Sequence, residues 1–253
     1  MIKKAFGFLL VVIIGFLTIN TVVAQTSQRI DINKDIQLHY LQDSIYVHVT
    51  WDSIENFGRF SSNGMIIIKN GQAIMIDTPM DNDKTEKIAS FLKDSWNVDL
   101  VKLIIGHFHD DCLGGLGYIQ SKGIESIANS RTTELCKKNN LLIPSTSFDD
   151  SFMIDFNGEK LICNYFGAGH SPDNITVWIP SKKILFGGCL VKSSNSRDLG
   201  NLADAVVEDW DSTIKKIIIN YPEIRTIVPG HGNVGGAELL THTVQLVELE
   251  KNK

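Results

Sequence analysis

The stretch that most limits what this chain can fold into is Gly106-His107-Phe108-His109-Asp110-Asp111-Cys112-Leu113-Gly114-Gly115. It follows Leu100-Val101-Lys102-Leu103-Ile104-Ile105, an apolar run that reads as a buried strand. His107, His109 and Asp111 alternate with other residues, so three metal-ligating side chains leave one strand end within a short loop. Two imidazoles and a carboxylate suit zinc, which takes nitrogen, sulfur and oxygen donors. Taken alone, the same residues also fit an ordinary loop, so the remainder of the chain has to decide.

Three further donors sit just past β-like runs, each beside glycine. They are His170 in Gly167-Ala168-Gly169-His170-Ser171, Cys189 in Phe186-Gly187-Gly188-Cys189, and His231 in Pro229-Gly230-His231-Gly232. Glycine lets the backbone pass close to an ion. Each of these residues singly is more often structural, and a lone cysteine is more often a buried thiol. Jointly they give four histidines, one aspartate and one cysteine on four loops leaving strand ends. Six donors with room for water fit two zinc ions better than one, each with an open position if the site is catalytic.

Residues 1–24 read as an export signal. Lys3 and Lys4 precede a mostly apolar stretch, 5–19, too short for a comfortable membrane span, and Val22-Val23-Ala24 offers a cleavage site before Gln25. The first cysteine is Cys112, which argues against a lipid anchor. Cleavage takes the formal charge from −5 to −7, and a mildly acidic chain with no basic run argues against a nucleic-acid partner. Residues 25–253 contain no Pro/Ser-rich linker, low-complexity tract or repeat, and are read as one domain. Cys112, Cys136, Cys163 and Cys189 are scattered without Cys-x-x-Cys spacing and do not look like a disulfide framework.

Residues 36–40 and 45–49 alternate polar and apolar as half-buried strands, with His39 and His48 as sheet-face residues rather than ligands. The stretch 51–63 reads as a loop whose Ile54, Phe57 and Phe60 either tuck beneath it or cover a ligand. Asn70-Gly71 between two apolar runs predicts a hairpin. Asp77, at the end of the second run, either caps a turn or buttresses metal ligands from behind. Helices are expected over 81–96, 116–122, 130–139 (with Ser130 as N-cap), 203–220 and 236–250. Strands are expected over 124–128, 151–156, 161–166, 174–179, 183–186 and 225–228. The order is β-rich, mixed, β-rich, mixed, which suggests two similar αβ halves around one core.

His107-x-His109-x-Asp111, Gly-His170, Gly-Cys189 and Pro-Gly-His231-Gly together resemble the metallo-β-lactamase superfamily, over essentially all of 25–253. Many hydrolases of that superfamily place a histidine directly after the aspartate. Here Cys112 fills that slot and Cys189 supplies a thiolate, which resembles the dizinc class B β-lactamases of Bacteroides and flavobacterial relatives. The resemblance implies an α/β fold, a four-layer αβ/βα sandwich with the metal site at one edge. It implies two zinc ions, the first on His107, His109 and His170 and the second on Asp111, Cys189 and His231. Lys192 matches the lysine that binds the substrate carboxylate and Asn201 the asparagine near the lactam carbonyl. The stretch 51–63 matches a mobile flap with Phe57 and Phe60 as cover, and Asp77 and Cys112 stand behind the ligands. Asp110 departs from the small residue common at its position and adds negative charge. The activity implied is zinc-dependent hydrolysis of penicillins, cephalosporins and carbapenems, with Asp111 and Asn201 taking part in catalysis, by a periplasmic monomer without a stable membrane anchor. The rival readings are another hydrolase of the superfamily, acting on a thioester, lactone or phosphodiester, and a non-catalytic periplasmic zinc-binding protein.

Overall fold

Along residues 45–49 and 65–76, side chains divide by alternation into two apolar faces, as a strand's period of two requires. Val47, Val49, Met65, Ile67, Ile74 and Ile76 turn to one side, and Ile66, Ala73 and Met75 to the other. A sheet that is apolar on both faces has to be covered on both, and in the computed structural model it is. The structure describes residues 29–55 and 58–253, so the export signal expected at 1–24 and Phe57 lie outside the described residues.

The first sheet has eight strands in chain order. They are β1 (Arg29–Asn33), β2 (Ile36–Gln42), β3 (Ile45–Ile54), β4 (Gly58–Lys69), β5 (Gln72–Ile76), β6 (Asp99–Ile104), β7 (Glu125–Asn129) and β8 (Thr146–Phe148). The pairing is antiparallel through β5 and parallel from β5 to β8. The second sheet runs β13-β12-β11-β10-β9. Its strands are β9 (Ser151–Phe156), β10 (Glu159–Asn164), β11 (Thr176–Ile179), β12 (Ile184–Gly188) and β13 (Thr226–Pro229), and only the β12–β13 pair is parallel. Each half thus begins antiparallel and ends parallel.

The helices α1 (Asn82–Trp96), α2 (Asp110–Leu113), α3 (Leu116–Ser121) and α4 (Ser130–Lys138) belong to the first half. Ile88 and Leu92 of α1, Leu116 and Ile119 of α3 and Cys136 of α4 pack in one cluster with the first sheet. The helices α5 (Val207–Asn220) and α6 (Glu238–Lys251) cover the second sheet with Trp210, Ile214, Ile217, Leu239, Leu240 and Val247. A third cluster, between the sheets, joins residues of both. The expected four-layer αβ/βα sandwich is what forms. No helix among the described residues is long and apolar enough to cross a membrane.

Three expectations need correction. Where the stretch 51–63 is described it is mostly strand, not loop: β3 and β4 stay in register out to Ile54↔Gly58, forming a ribbon that extends the sheet. Its outer residues are exposed, so no buried face marked the strand period, and Lys84 pins it through Asp52 at 2.6 Å. The N-cap of α4 is Asn129, whose side chain accepts from Arg131 N, so Ser130 is already helical. Finally, α5 starts at Val207 rather than 203.

Candidate metal centre

The parallel strands set the site, because the carboxyl ends of β5 and β6 and of β12 and β13 point their loops the same way. After β6, the chain makes the single turn α2, with His109 at its N-cap position. That turn brings Asp111 round beside the two histidines, which an extended loop would not do. The loop is fastened from behind at both ends. Gly106 N donates to Asp77 Oδ1 at 2.5 Å, Thr78 N to Cys112 O at 2.9 Å, and Gly115 N to Thr78 Oγ1 at 2.9 Å. Asp77 therefore buttresses the ligand loop rather than capping its own turn.

Three imidazole nitrogens converge on one point. His107 Nε2 lies 2.9 Å from His109 Nδ1, and His170 Nε2 lies 3.2 Å from the same nitrogen. His109 Nε2 faces Asp204 Oδ2 at 3.0 Å and so carries the proton, which leaves Nδ1 as a bare lone pair. Nitrogens turned inward in this way repel one another unless a proton or a cation lies among them. The second group adjoins the first. Asp111 Oδ2 lies 3.2 Å from both Cys189 Sγ and His231 Nε2, and Cys189 Sγ lies 3.4 Å from His231 Nε2. Asp111 Oδ1 looks back toward His107 Nε2 at 3.8 Å. Tetrahedral zinc with bonds of about 2.0–2.3 Å separates its ligand atoms by roughly 3.3–3.6 Å. Both groups come close to that spacing, so the residues fit the ion.

The electrostatics agree. Burial pushes the imidazole of His107 down to about 3 and that of His170 well below its usual range, so both stay neutral, the form that binds metal. Burial opposes charge on Asp111, but the hydrogen bond from His231 and the field of His107 outweigh it and hold the carboxyl below the usual range. The Cys189 thiol comes down to about 7, helped first by the neighbouring Cys112 thiol, against burial, and then by His231. Burial disfavours charge on His231, yet Cys189 and Asp111 together push its pKa well up. Two anions around one histidine leave a place for positive charge.

The backbone permits this closeness only where side chains are missing. A Cβ on Gly230 would come within 2.4 Å of Cys189 Sγ. Asn63 clamps the loop that carries His231, donating from Nδ2 to Pro229 O and Gly232 O. His231 Nδ1 faces Ser61 O at 2.8 Å, which turns Nε2 toward Cys189.

A cleft of ≈ 590 Å³ opens over both groups. Lys192 and Asn201 line it, with Phe60 and Ile54 from the β3–β4 ribbon. Phe60 lies 6.1 Å, centroid to centroid, from His231, as a covering residue should. Asn201 Oδ1 accepts from Ala203 N at 3.1 Å, so its amide nitrogen is the end left free. Cys112 is buried with Sγ 3.0 Å from His107 Nδ1, the nitrogen turned away from the other histidines. It supports the ring from behind. Asp110 is exposed at the cleft wall.

The sequence reading missed Asp204, which nothing local marks, since its partner His109 is 95 residues away. It also missed Met80, Phe108, Asn139 and Leu141 as cleft-lining residues.

Comparison with known proteins gives one consistent result. Residues 57–231 match the family described as the metallo-beta-lactamase superfamily. The chain is 42% identical to a metallo-beta-lactamase type 2 of Bacteroides fragilis over 236 residues, 93% of this chain and 94% of that one. It is 33% identical to the protein of the same name from Bacillus cereus, covering 91% of each. Among solved structures, TMB-1 superposes with a TM-score of 0.82 at 35% identity, covering 86% of this chain and 99% of that one.

Proposed function

The chain belongs to the metallo-β-lactamase superfamily, and from that premise and the site we infer that it is a metal-dependent hydrolase of β-lactams. The observation that carries the finer reading is the pair of adjoining donor groups, three histidines beside Asp111, Cys189 and His231, beneath an open cleft. We propose two zinc ions, one on His107, His109 and His170 and one on Asp111, Cys189 and His231. When bound, such ions supply Lewis acidity, polarising a carbonyl oxygen and making water a competent nucleophile near neutral pH.

The chain's own groups do the rest. The Lys192 ammonium holds the substrate carboxylate and so fixes where the fused ring lies. Asn201 donates from its free amide nitrogen to the lactam carbonyl oxygen as negative charge grows there. The anionic Asp111 accepts a hydrogen bond from the attacking water through Oδ1, which aims the water's lone pair at the carbonyl carbon. Phe60 and Ile54 cover the cleft and exclude bulk water. No covalent enzyme intermediate is needed, so no activated serine is required.

The test is carbapenem hydrolysis by the purified protein, before and after chelation and zinc return, with metal analysis alongside. Activity abolished by chelator and restored by zinc, at two zinc ions per chain, is the expected outcome. A folded, zinc-loaded protein that turns over thioesters, lactones or phosphodiesters but no β-lactam would exclude this substrate class. We further propose that residues 1–24 direct export to the periplasm. N-terminal sequencing of the periplasmic protein is expected to begin at Gln25, and a mature chain that keeps Lys3 would refute the cut.

A further inference from the structure

We infer that His48 is a positioning residue for the metal-ligand loop, acting through the backbone of Asp77. The inference rests on reading that loop as a metal centre. His48 sits on β3, opposite Gly64 of β4, and is 1% exposed. Its imidazole crosses β4 and meets the carbonyl of Asp77, past the end of β5, with Nε2 2.9 Å from the oxygen. A carbonyl only accepts, so Nε2 carries the proton and donates it. The crossing exists because residue 64 has no side chain. A Cβ there would fall 2.0 Å from His48 Nε2.

The carbonyl that His48 reaches is an unusual one. Asp77 has φ +57, a left-handed conformation that costs a residue with a side chain about 1–2 kcal/mol. Its N–H still follows the sheet, donating to Ile104 O at 2.9 Å. Its carbonyl has left the ladder, and without His48 it would be buried with no donor among the described residues. With the peptide held this way, the Asp77 carboxylate takes Gly106 N and Thr78 takes Cys112 O and Gly115 N. Those bonds tie down the chain directly before His107, directly after Asp111 and beyond α2. His48 thus fixes the one turn on which the spacing of His107, His109 and Asp111 depends, without touching any of the three.

Zinc affinity, measured by competition with a chromophoric chelator, tests this in the wild type, His48→Gln, His48→Asn and His48→Leu, with circular dichroism and a urea midpoint for each. Gln places an amide N–H near the position of imidazole Nε2, while Asn is too short and Leu has no donor. The expected result is zinc binding about 10–100-fold weaker in the Asn and Leu variants, the range for losing a partner behind a ligand, with Gln close to the wild type. A purely structural histidine would lower the urea midpoint in all three and leave the affinity of the folded protein unmoved. Equal affinities for Gln and Asn would overturn the inference even if the Leu variant does not fold. Failure of both the Asn and the Leu variant to fold counts against it too, because the fold rather than the loop then needs the bond. A wild type that binds no zinc sinks the metal reading itself, and this inference with it.

Discussion

Among the site residues, Lys192 occupies the least comfortable position. It is 9% exposed, and its Nζ lies 5.3 Å from the centroid of the Trp210 ring, which attracts the cation. Burial pulls its pKa down, and the charges of Cys189 and Asp111 push it back up. Among the described residues no carboxylate forms an ion pair with it, so a substrate carboxylate meets an ammonium already stripped of most of its water. A charge-assisted bond of this kind is worth about 1.5–3 kcal/mol. It exists before the carbonyl is attacked as well as during the attack, so it contributes mainly to uniform binding. Lys192→Ala is therefore expected to raise KM for carboxylate-bearing β-lactams by roughly 10–100-fold while kcat moves much less. Steady-state kinetics on a carbapenem and on an analogue with that carboxylate esterified checks this. The ester is expected to show no difference between the two proteins, and a variant that lost kcat with KM unchanged would place Lys192 in the chemical step instead.

Elements with local signals were the legible ones. The β4–β5 hairpin turns on Asn70 at φ 51 and Gly71 at φ 73, the conformations for which Asn-Gly is chosen. Helix α1 opens on Asp81, whose side chain accepts from Lys84 N, and closes on Asn97 in a left-handed conformation. Both were readable because donor and acceptor lie within a few residues of each other. The β3–β4 ribbon was not, because it projects beyond the sheet and no packing partner imposes an apolar alternation on it. The starts of α4 and α5 were misplaced for a different reason. Asn129 and Ser130 are both competent caps, and only the extended backbone of Asn129 decides between them. Val206 and Val207 continue the apolar stripe whether or not they are helical. The site shows the same division. The six side chains that converge there were legible by their chemistry, and four of them, His107, His170, Cys189 and His231, also by a neighbouring glycine. Of the groups that orient them, Asp77 and Cys112 were legible beside the ligand motif, while His48 and Asp204 were not, since His48 reaches Asp77 across 29 residues and Asp204 reaches His109 across 95.

At the scale of the whole molecule, the site is a junction of two sheets, and its supports are core residues. Asn63 of β4 clamps the loop following β13, and Asp77 after β5 clamps the loop following β6. The pH dependence of folding therefore passes through groups that also shape the site, and His48 is the clearest of them. Burial pushes its pKa down to about 4, against 6.5 for an exposed imidazole, with the hydrogen bonds to the backbone at Asp77 and Ile76 opposing only in part. The folded pKa is the lower one, so between about pH 6.5 and 4 the unfolded chain binds the proton and the folded chain does not. The stability that His48 contributes is thus fully present above the unfolded value and declines as pH falls toward the folded one. Within that window the loss approaches one proton, about 1.4 kcal/mol per pH unit. Glutamine does not titrate, so His48→Gln is expected to lose less stability than the wild type on going from pH 7 to pH 5. Urea unfolding of both proteins in excess chelator measures the difference, because the other buried histidines are common to both and cancel. The wild-type advantage should shrink steadily as the solution is acidified. Parallel stability curves across that range would mean that the imidazole takes up its proton at the same pH folded as unfolded, with both nitrogens donating once it is charged. In that case its second nitrogen, buried and without a partner among the described residues, would have to find an acceptor that this packing does not offer.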